Sequence, residues 1–461
     1  MDGQAKFLEG SLFRHISVMS LTASVGLMAV FVVDFVDMIF ISMLGKAELA
    51  AAIGYAGAIL FFTSSFGIGM AIAAGALVSR ALGAGDGELA RRRATNTLIY
   101  GILFGVIFAA VVWSNLEYLS ALMGASGETL DLSVSYLAII IPSLPLLIFG
   151  MVGSAILRAY GDARRAMMAT VWGGVVNAVL DPILIFGLDL ELTGAALASV
   201  AARFAIAWFG IMPLIRHHKA LAAPKDVAHD LVPVAAIAAP AILTQLATPI
   251  GQAYVTRSMA EFGEAAVAGM AIIGRMTPIA FGVIFALSGA LGPIIGQNAG
   301  GGRPDRVREA MRDAVLFMGL VVVLVTGILF AIREPIAALF EADGITLELI
   351  FLFCGPLALA FFFNGVIFAS NAAFNNLGHP FYSTWINWGR HTLGTIPLVI
   401  VGAAWFGAPG VLIGQAIGGV IFAAIAWVLT RKVLASADGA GGENAPFARH
   451  ARLHTLFHHR R

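Results

Sequence analysis

The chain has 461 residues, of which 59% are hydrophobic and 12% are charged, and its formal net charge is +1. Soluble domains contain about twice this share of charged residues, so most apolar side chains here must face lipid or pack between lipid-embedded helices. The near-zero charge gives no sign of a nucleic-acid partner. The single cysteine, Cys354, excludes an intramolecular disulfide and a cysteine-pair metal site.

Apolar segments of about 20 residues or longer, the length of a helix that crosses a bilayer, recur along the chain. A membrane β-barrel would show short segments of alternating hydrophobicity instead. The sequence therefore predicts an all-α integral membrane protein of about twelve transmembrane helices. The predicted spans lie near residues 15–42, 50–79, 95–114, 132–157, 166–189, 193–215, 233–259, 265–296, 312–332, 347–374, 381–404 and 410–430.

The basic residues between these spans alternate from one connector to the next. Connectors that follow spans 2, 4, 6 and 8 are rich in arginine and lysine, with Arg91, Arg164, Lys219 and Arg306 among them. The odd-numbered connectors hold only Lys46, Arg257 and Arg333. Because basic connectors stay in the cytoplasm, both termini are predicted to be cytoplasmic. The polar start of the chain predicts no cleavable signal peptide.

An internal repeat divides the chain into two halves. Residues 79–92 parallel residues 296–309 at an offset of 217 positions. Each half has an even number of spans, so the repeat is parallel, about an axis along the membrane normal. We predict a six-helix lobe over residues 1–220, a second over 221–435 and a cytoplasmic tail over 436–461.

Several stretches carry a resemblance to a known family: VDMIFISMLGKAELAA, SRALGAGDGELARR, NAVLDPILIFG with TGAALAS, and GQNAGGGRPDRV. Their order and spacing resemble the multidrug and toxic compound extrusion (MATE) family from about residue 12 to about residue 432. The resemblance implies a bacterial cytoplasmic-membrane transporter, not an enzyme, working as a monomer without a cofactor. It also implies export of amphipathic compounds, usually cationic or aromatic, driven by inward flow of protons or sodium ions.

The resemblance also implies an ion-coupling site in the first half. The family's aspartates on helices 1 and 5 fall on Asp37 and Asp181, with Asn177 one turn before Asp181 and the helix 6 hydroxyl on Ser199. Asp34 shares a helix face with Asp37. An intramembrane carboxylate costs about 2.5–3.5 kcal/mol on insertion scales, so these acids are predicted to carry protons rather than only to cap neighbouring helices.

The second half departs from the pattern of the NorM-like branch, which places further acids on helices 7 and 10. Helix 7 has glutamines here, and helix 10 has Asn371, so the chain looks closer to the DinF-like branch and a sodium site there is disfavoured. We therefore favour protons as the coupling ion, with sodium as the alternative. Neutral residues predicted to bind substrate in this half are Gln245, Gln252, Gln297 and Asn371.

Arg390 stands mid-helix, between Trp388 and His391. Two interpretations remain open: a counter-ion for an aspartate such as Asp34, or a contact for an anionic or zwitterionic substrate.

Other functions are less well supported by the residues. A flippase for lipid-linked saccharides needs a strongly basic cleft, and only Arg203, Arg275 and Arg390 are available within spans. A membrane prenyltransferase needs an aspartate-rich metal motif, which the sequence lacks. Three tail histidines, His450, His454 and His458, recur at a spacing of four; they favour an amphipathic tail over a metal site.

Overall fold

The computed structural model describes residues 5–439 and consists of helices and short connections, without a β-strand in that range. Its contacts divide the chain into two compact units. We call residues 25–242, together with residues 5 and 6, the first unit. Among the described residues, 7–24 and 243–439 form the second unit. Residues 440–461, which include the three tail histidines, lie outside the described residues.

Eight helices precede the connection between the two halves of the sequence: α1 Leu12–Met43, α2 Ala47–Gly83, α3 Gly87–Trp113, α4 Leu116–Leu122, α5 Gly127–Ile140, α6 Leu144–Ala159, α7 Ala163–Pro182 and α8 Glu191–Arg216. The helices after the connection are α9 Val227–Ala260, α10 Glu264–Ala280, α11 Gly282–Gly300, α12 Pro304–Ala331, α13 Arg333–Leu339, α14 Gly344–Leu352, α15 Ala358–Asn376, α16 Pro380–Gly389 and α17 Thr395–Gly439. Because the boundaries between the units fall after residue 24 and after residue 242, α1 and α9 each contribute to both units.

Within the described residues, 11 helical segments are long and apolar enough to cross a membrane. The last of them covers 57 residues, Pro380–Ser436, and is bent at Gly407, where φ is 64° and ψ is −143°. A left-handed backbone of this kind ends an α-helix, and glycine adopts it without a Cβ clash. Counting this segment as two, the predicted all-α membrane fold of about twelve spans is confirmed.

Several predicted spans are not continuous α-helices, and a proline lies at or near each interruption. Pro142 stands in a 3₁₀ turn between α5 and α6, and Pro356 stands in a π turn between α14 and α15. Pro182 ends α7 and is followed by a π turn, while Pro278 precedes the break between α10 and α11 at Phe281. Proline lacks the amide hydrogen that a continuous α-helix needs.

The connection between the halves is fixed to the first unit by a buried ion pair. Arg92 of α3 donates to both carboxylate oxygens of Asp230 at 3.1 Å, and it also donates to Asp226 at 3.0 Å. Asn96, one turn further along α3, donates to Asp230 at 2.7 Å and to the carbonyl of Lys225 at 2.9 Å. Asp230 therefore ties the start of α9 to α3.

A second cluster holds the end of α8 against the turn between α6 and α7. Asp162 caps α7 by accepting from the Arg165 amide at 3.2 Å. Its carboxylate also receives bonds from the Arg165 guanidinium at 2.6 Å and from His218 at 2.8 Å. Burial alone would raise the pKa of Asp162, but these hydrogen bonds outweigh burial and lower that pKa below its ordinary value.

Candidate functional site

A stripe on α7 faces α1 in the first unit. Gly174, Asn177 and Asp181 recur at spacings of three and four, which places them on one helix face. A Cβ added to Gly174 would lie only 3.1 Å from the Val33 side chain, so glycine lets the two helices approach closely. One turn after Val33, α1 presents Asp37. The local sequence of each helix thus brings its polar residue to the shared surface.

Asn177 and Asp37 are joined directly across this surface. In the orientation that its neighbours favour, the Asn177 amide donates to the two carboxylate oxygens of Asp37 at 3.2 and 3.0 Å. Asn177 is 4% exposed and Asp37 is half-buried. The amide therefore presents its nitrogen, rather than its oxygen, to the carboxylate.

Asp181 completes a carboxyl pair with Asp37. Its side chain is fully buried, and neither of its carboxylate oxygens has a hydrogen-bond partner among the described residues. The two carboxyl groups nevertheless lie within hydrogen-bonding reach of each other. Both are acceptors when ionised, so the bond forms only if one of them carries a proton. A pair in this contact repels when doubly ionised and can share a single proton.

Tyr136 of α5 adjoins this pair and was not among the residues predicted from sequence. It is 8% exposed, and its hydroxyl lies close enough to Ser199 of α8 and to both aspartates to interact with them electrostatically. Ser199 is half-buried. The chain has seven tyrosines, and hydropathy does not distinguish this one from the others. Only the packing of α5 against α8 assigns it to the site.

Arg203, one turn after Ser199, is satisfied inside the first unit. Its guanidinium donates to the Ile140 carbonyl at 2.9 Å and to the Ser143 hydroxyl at 3.0 Å. These acceptors lie at the 3₁₀ turn that separates α5 from α6. Asp34 lies on α1, but its side chain is outside the described part of the structure, so its predicted role stays a prediction.

The amides predicted in the second unit have different surroundings. Gln297 is fully buried, and its side-chain oxygen accepts a hydrogen bond from the Phe7 amide at 2.8 Å. The neighbouring Asn298 donates to the Phe7 carbonyl at 3.0 Å. Gln297 thus helps to hold the short 3₁₀ helix Lys6–Leu8, a contact that hydropathy could not indicate. Gln245 is half-buried on α9.

Asn371 and Gln252 are bonded to other amides of the second unit. Asn371 of α15 is 9% exposed and accepts from Asn387 of α16 at 3.3 Å. Gln252 of α9 is exposed and accepts from Gln415 of α17 at 3.3 Å. The structure therefore does not join the four predicted amides into one hydrogen-bonded cluster. Arg390 begins the π turn between α16 and α17.

No group of three or more histidine, cysteine or acidic side chains suited to a metal ion occurs in the described range. The arrangement in the first unit is instead a protonatable carboxyl pair, with an amide and a tyrosine–serine pair beside it.

Comparisons with known proteins agree with this architecture. The MatE family model matches residues 23–183 and 240–401, which is more than half of the chain. This protein belongs to the MATE family. Its members are membrane transporters, so the predicted transport function is confirmed and an enzymatic function is not supported.

Individual relatives of this MATE transporter cover nearly its whole length. It is 29% identical over 434 residues to a Shewanella oneidensis protein named FAD transporter, which covers 92% of this chain and 96% of that one. It is 24% identical to the Staphylococcus aureus multidrug export protein MepA, over 89% of this chain and 92% of that one.

A solved structure covers a similar share of this chain. The crystal structure of the Vibrio cholerae MATE transporter VcmN in the bent form superposes with a TM-score of 0.86 at 25% identity. It covers 93% of this chain and 98% of that one.

Proposed function

We propose that this MATE transporter exports small amphipathic organic compounds in exchange for protons. The observation that carries the proposal is the convergence of Asp37, Asp181 and Asn177 inside the first unit. An amide donates to one carboxylate, and the second carboxyl, fully buried, lies within hydrogen-bonding reach of the first. Such a pair changes its internal contacts when a single proton arrives or leaves.

The proposed cycle uses that change. A proton from the outside joins the two carboxyl groups, removes their repulsion and favours one packing of α1 against α7. Loss of the proton to the inside separates the carboxyl groups and favours the other packing. A membrane potential of 100 mV contributes about 2.3 kcal/mol for each charge moved inward, which suffices for modest concentrative export of a neutral compound.

The donor set favours a proton over a sodium ion. Sodium needs several oxygen ligands directed at one point. In the orientation that its neighbours favour, Asn177 directs its nitrogen toward Asp37, which leaves the two carboxyl groups as the oxygen donors at this point. A proton needs only the two carboxyl groups. Sodium coupling through the same residues is the alternative.

The substrates we propose are small aromatic or otherwise amphipathic compounds. The relatives described above are named for multidrug export and for FAD transport, and these names fit compounds with an aromatic part. In the second unit, Gln245, Gln252 and Arg390 are the proposed contacts. Gln297 and Asn371 are buried and bonded within the protein, whereas Gln252 is exposed, although it accepts from Gln415. A site with few fixed polar groups suits varied ligands.

The proposed setting is a bacterial cytoplasmic membrane, with both termini in the cytoplasm and the monomer as the working unit. The arginine-rich connectors support this orientation. Reporter fusions after residues 225 and 435 should both read cytoplasmic, and a fusion near residue 343 should not. A cytoplasmic signal near residue 343 would contradict this topology. The lack of acids in residues 233–259 of α9 and in α15 supports the DinF-like branch.

The coupling proposal is tested by dye efflux in proteoliposomes with proton and sodium gradients imposed separately. Asp37→Asn keeps the size and hydrogen bonding of the side chain but cannot titrate, so it should abolish proton-driven efflux. Glu128→Gln, a change of the same kind at an exposed acid of the first unit, is the matched control and should retain efflux.

Two outcomes would contradict the proposal. One is normal proton-driven efflux by Asp37→Asn at unchanged expression. The other is sustained efflux driven by sodium alone, with a protonophore present and no pH difference.

A further inference from the structure

The π turn Arg390–Gly394 is closely packed within the second unit. A Cβ on Gly389 or Gly394 would collide with the Phe422 ring, so both glycines pack directly against it. On α9, Gly251 leaves room for the His391 ring, which is 4% exposed. Single π turns inside helices occur frequently at functional sites. The backbone that carries Arg390 is therefore fixed by tight contacts.

The Arg390 side chain, unlike the closely packed backbone that carries it, has few polar contacts. It is half-buried, and among the side chains that the structure describes none forms an ion pair or hydrogen bond with its guanidinium. Arg203 of the first unit, by comparison, donates to a carbonyl and a hydroxyl. A cation at membrane depth without a partner is costly and marks a functional site.

Three segments of the second unit that lie near Arg390 in the structure or in the sequence supply no negative charge to it. Three contacts show that α9 packs against this region: Leu243 accepts from the Trp388 indole at 2.9 Å, Thr244 bonds to Thr384 at 3.2 Å, and Gly251 meets the His391 ring. Residues 243–260, 358–376 and 380–436 contain no aspartate or glutamate. The polar groups of these segments near the turn are amides and hydroxyls, which are neutral.

A guanidinium in such surroundings suits an acidic ligand. Its planar fork of donors binds a phosphate or a carboxylate through two parallel hydrogen bonds. Low polarity around it strengthens the attraction, and no protein carboxylate on the three packed segments competes for it. A cationic ligand would be repelled at the same place.

We propose that Arg390 binds a phosphate or carboxylate group of the exported compound, so that the substrates of this transporter include anionic aromatic amphipaths. This inference rests on the proposed export function and names the substrate class that it leaves open. It also departs from the cationic substrates that the sequence resemblance implied.

Equilibrium binding of riboflavin and flavin mononucleotide to the full chain in phosphatidylcholine nanodiscs tests the proposal. The two probes share a fluorescent ring and differ by one phosphate. The wild type should bind the phosphorylated probe more tightly than riboflavin. Arg390→Gln should weaken binding of the phosphorylated probe by about tenfold to a hundredfold and leave riboflavin unchanged. Arg390→Lys should retain part of the preference, and Arg431→Gln, an exposed arginine of the same unit, should retain all of it.

Three results would overturn the proposal. Equal binding of the two probes by the wild type, including no binding of either, is the first. An equal loss for both probes in Arg390→Gln would assign the arginine a purely structural role. A preference that disappears when phosphatidylglycerol is added to the discs would assign the site to a lipid headgroup.

Binding is measured without any ion gradient, so failure of the coupling proposal would leave these affinities unaffected. Conversely, proton-driven efflux of a cationic dye by a protein that shows no preference for the phosphorylated flavin would overturn this inference alone.

Discussion

Asp230 offers a direct test of how the connection between the halves is anchored. Its side chain is only 3% exposed, and it accepts two hydrogen bonds from Arg92 and one from Asn96. Asp230→Ala removes the acceptor and leaves a buried amide and a partly buried guanidinium without it. The substitution should therefore destabilise the first unit.

The expected loss follows from the contacts. Hydrogen bonds to charged groups contribute about 1.5–3 kcal/mol each, but contributions within one network do not add. Arg92 is 24% exposed, so water compensates part of the loss at the guanidinium. We expect Asp230→Ala to lower the free energy of unfolding by about 3 kcal/mol.

Asp226 is a matched control, because it bonds to the same arginine at 3.0 Å but is 50% exposed. An exposed pair contributes about 0–1 kcal/mol, so Asp226→Ala should have little effect. Both variants can be unfolded reversibly in mixed micelles with increasing sodium dodecyl sulfate and followed by tryptophan fluorescence. Equal losses for the two variants, or a loss below about 1 kcal/mol for Asp230→Ala, would refute the reasoning.

Three further substitutions test the site and its surroundings. Tyr136→Phe removes the hydroxyl beside the carboxyl pair and should slow proton-driven efflux by about tenfold, measured in proteoliposomes at matched protein content. Gly251→Ala places a methyl group against a buried ring and should lower stability by about 1–3 kcal/mol in the same micelle titration. Asp162 has a lowered pKa in the folded protein, because hydrogen bonds from His218 and Arg165 outweigh the effect of burial. Its stabilisation should be complete above the unfolded pKa of about 3.9 and lost as the pH falls through the folded pKa, and Asp162→Asn should flatten the acid side of the melting profile.

The sequence by itself determined the class of fold. Bilayer hydrocarbon leaves no hydrogen-bond partner for exposed backbone groups, so long apolar segments must be helices. The number of spans then follows from how many apolar segments are long enough to cross the bilayer. Helical periodicity is also local, and it placed Asn177 and Asp181 on one face of a single helix. The prolines at positions 142, 278 and 356 are visible in the sequence, yet the interruptions at or near them were not predicted.

Contacts between helices were decided only by the tertiary structure. Lipid chains are as apolar as leucine, so hydropathy does not specify which helix faces pair in a membrane. The packing of α5 against α8 adds Tyr136 to the site, and the docking of Phe7 gives Gln297 a bond to the backbone. Likewise, no local pattern indicates that Asp181 lies within hydrogen-bonding reach of Asp37, because these residues are far apart in the chain and meet only where α1 packs against α7.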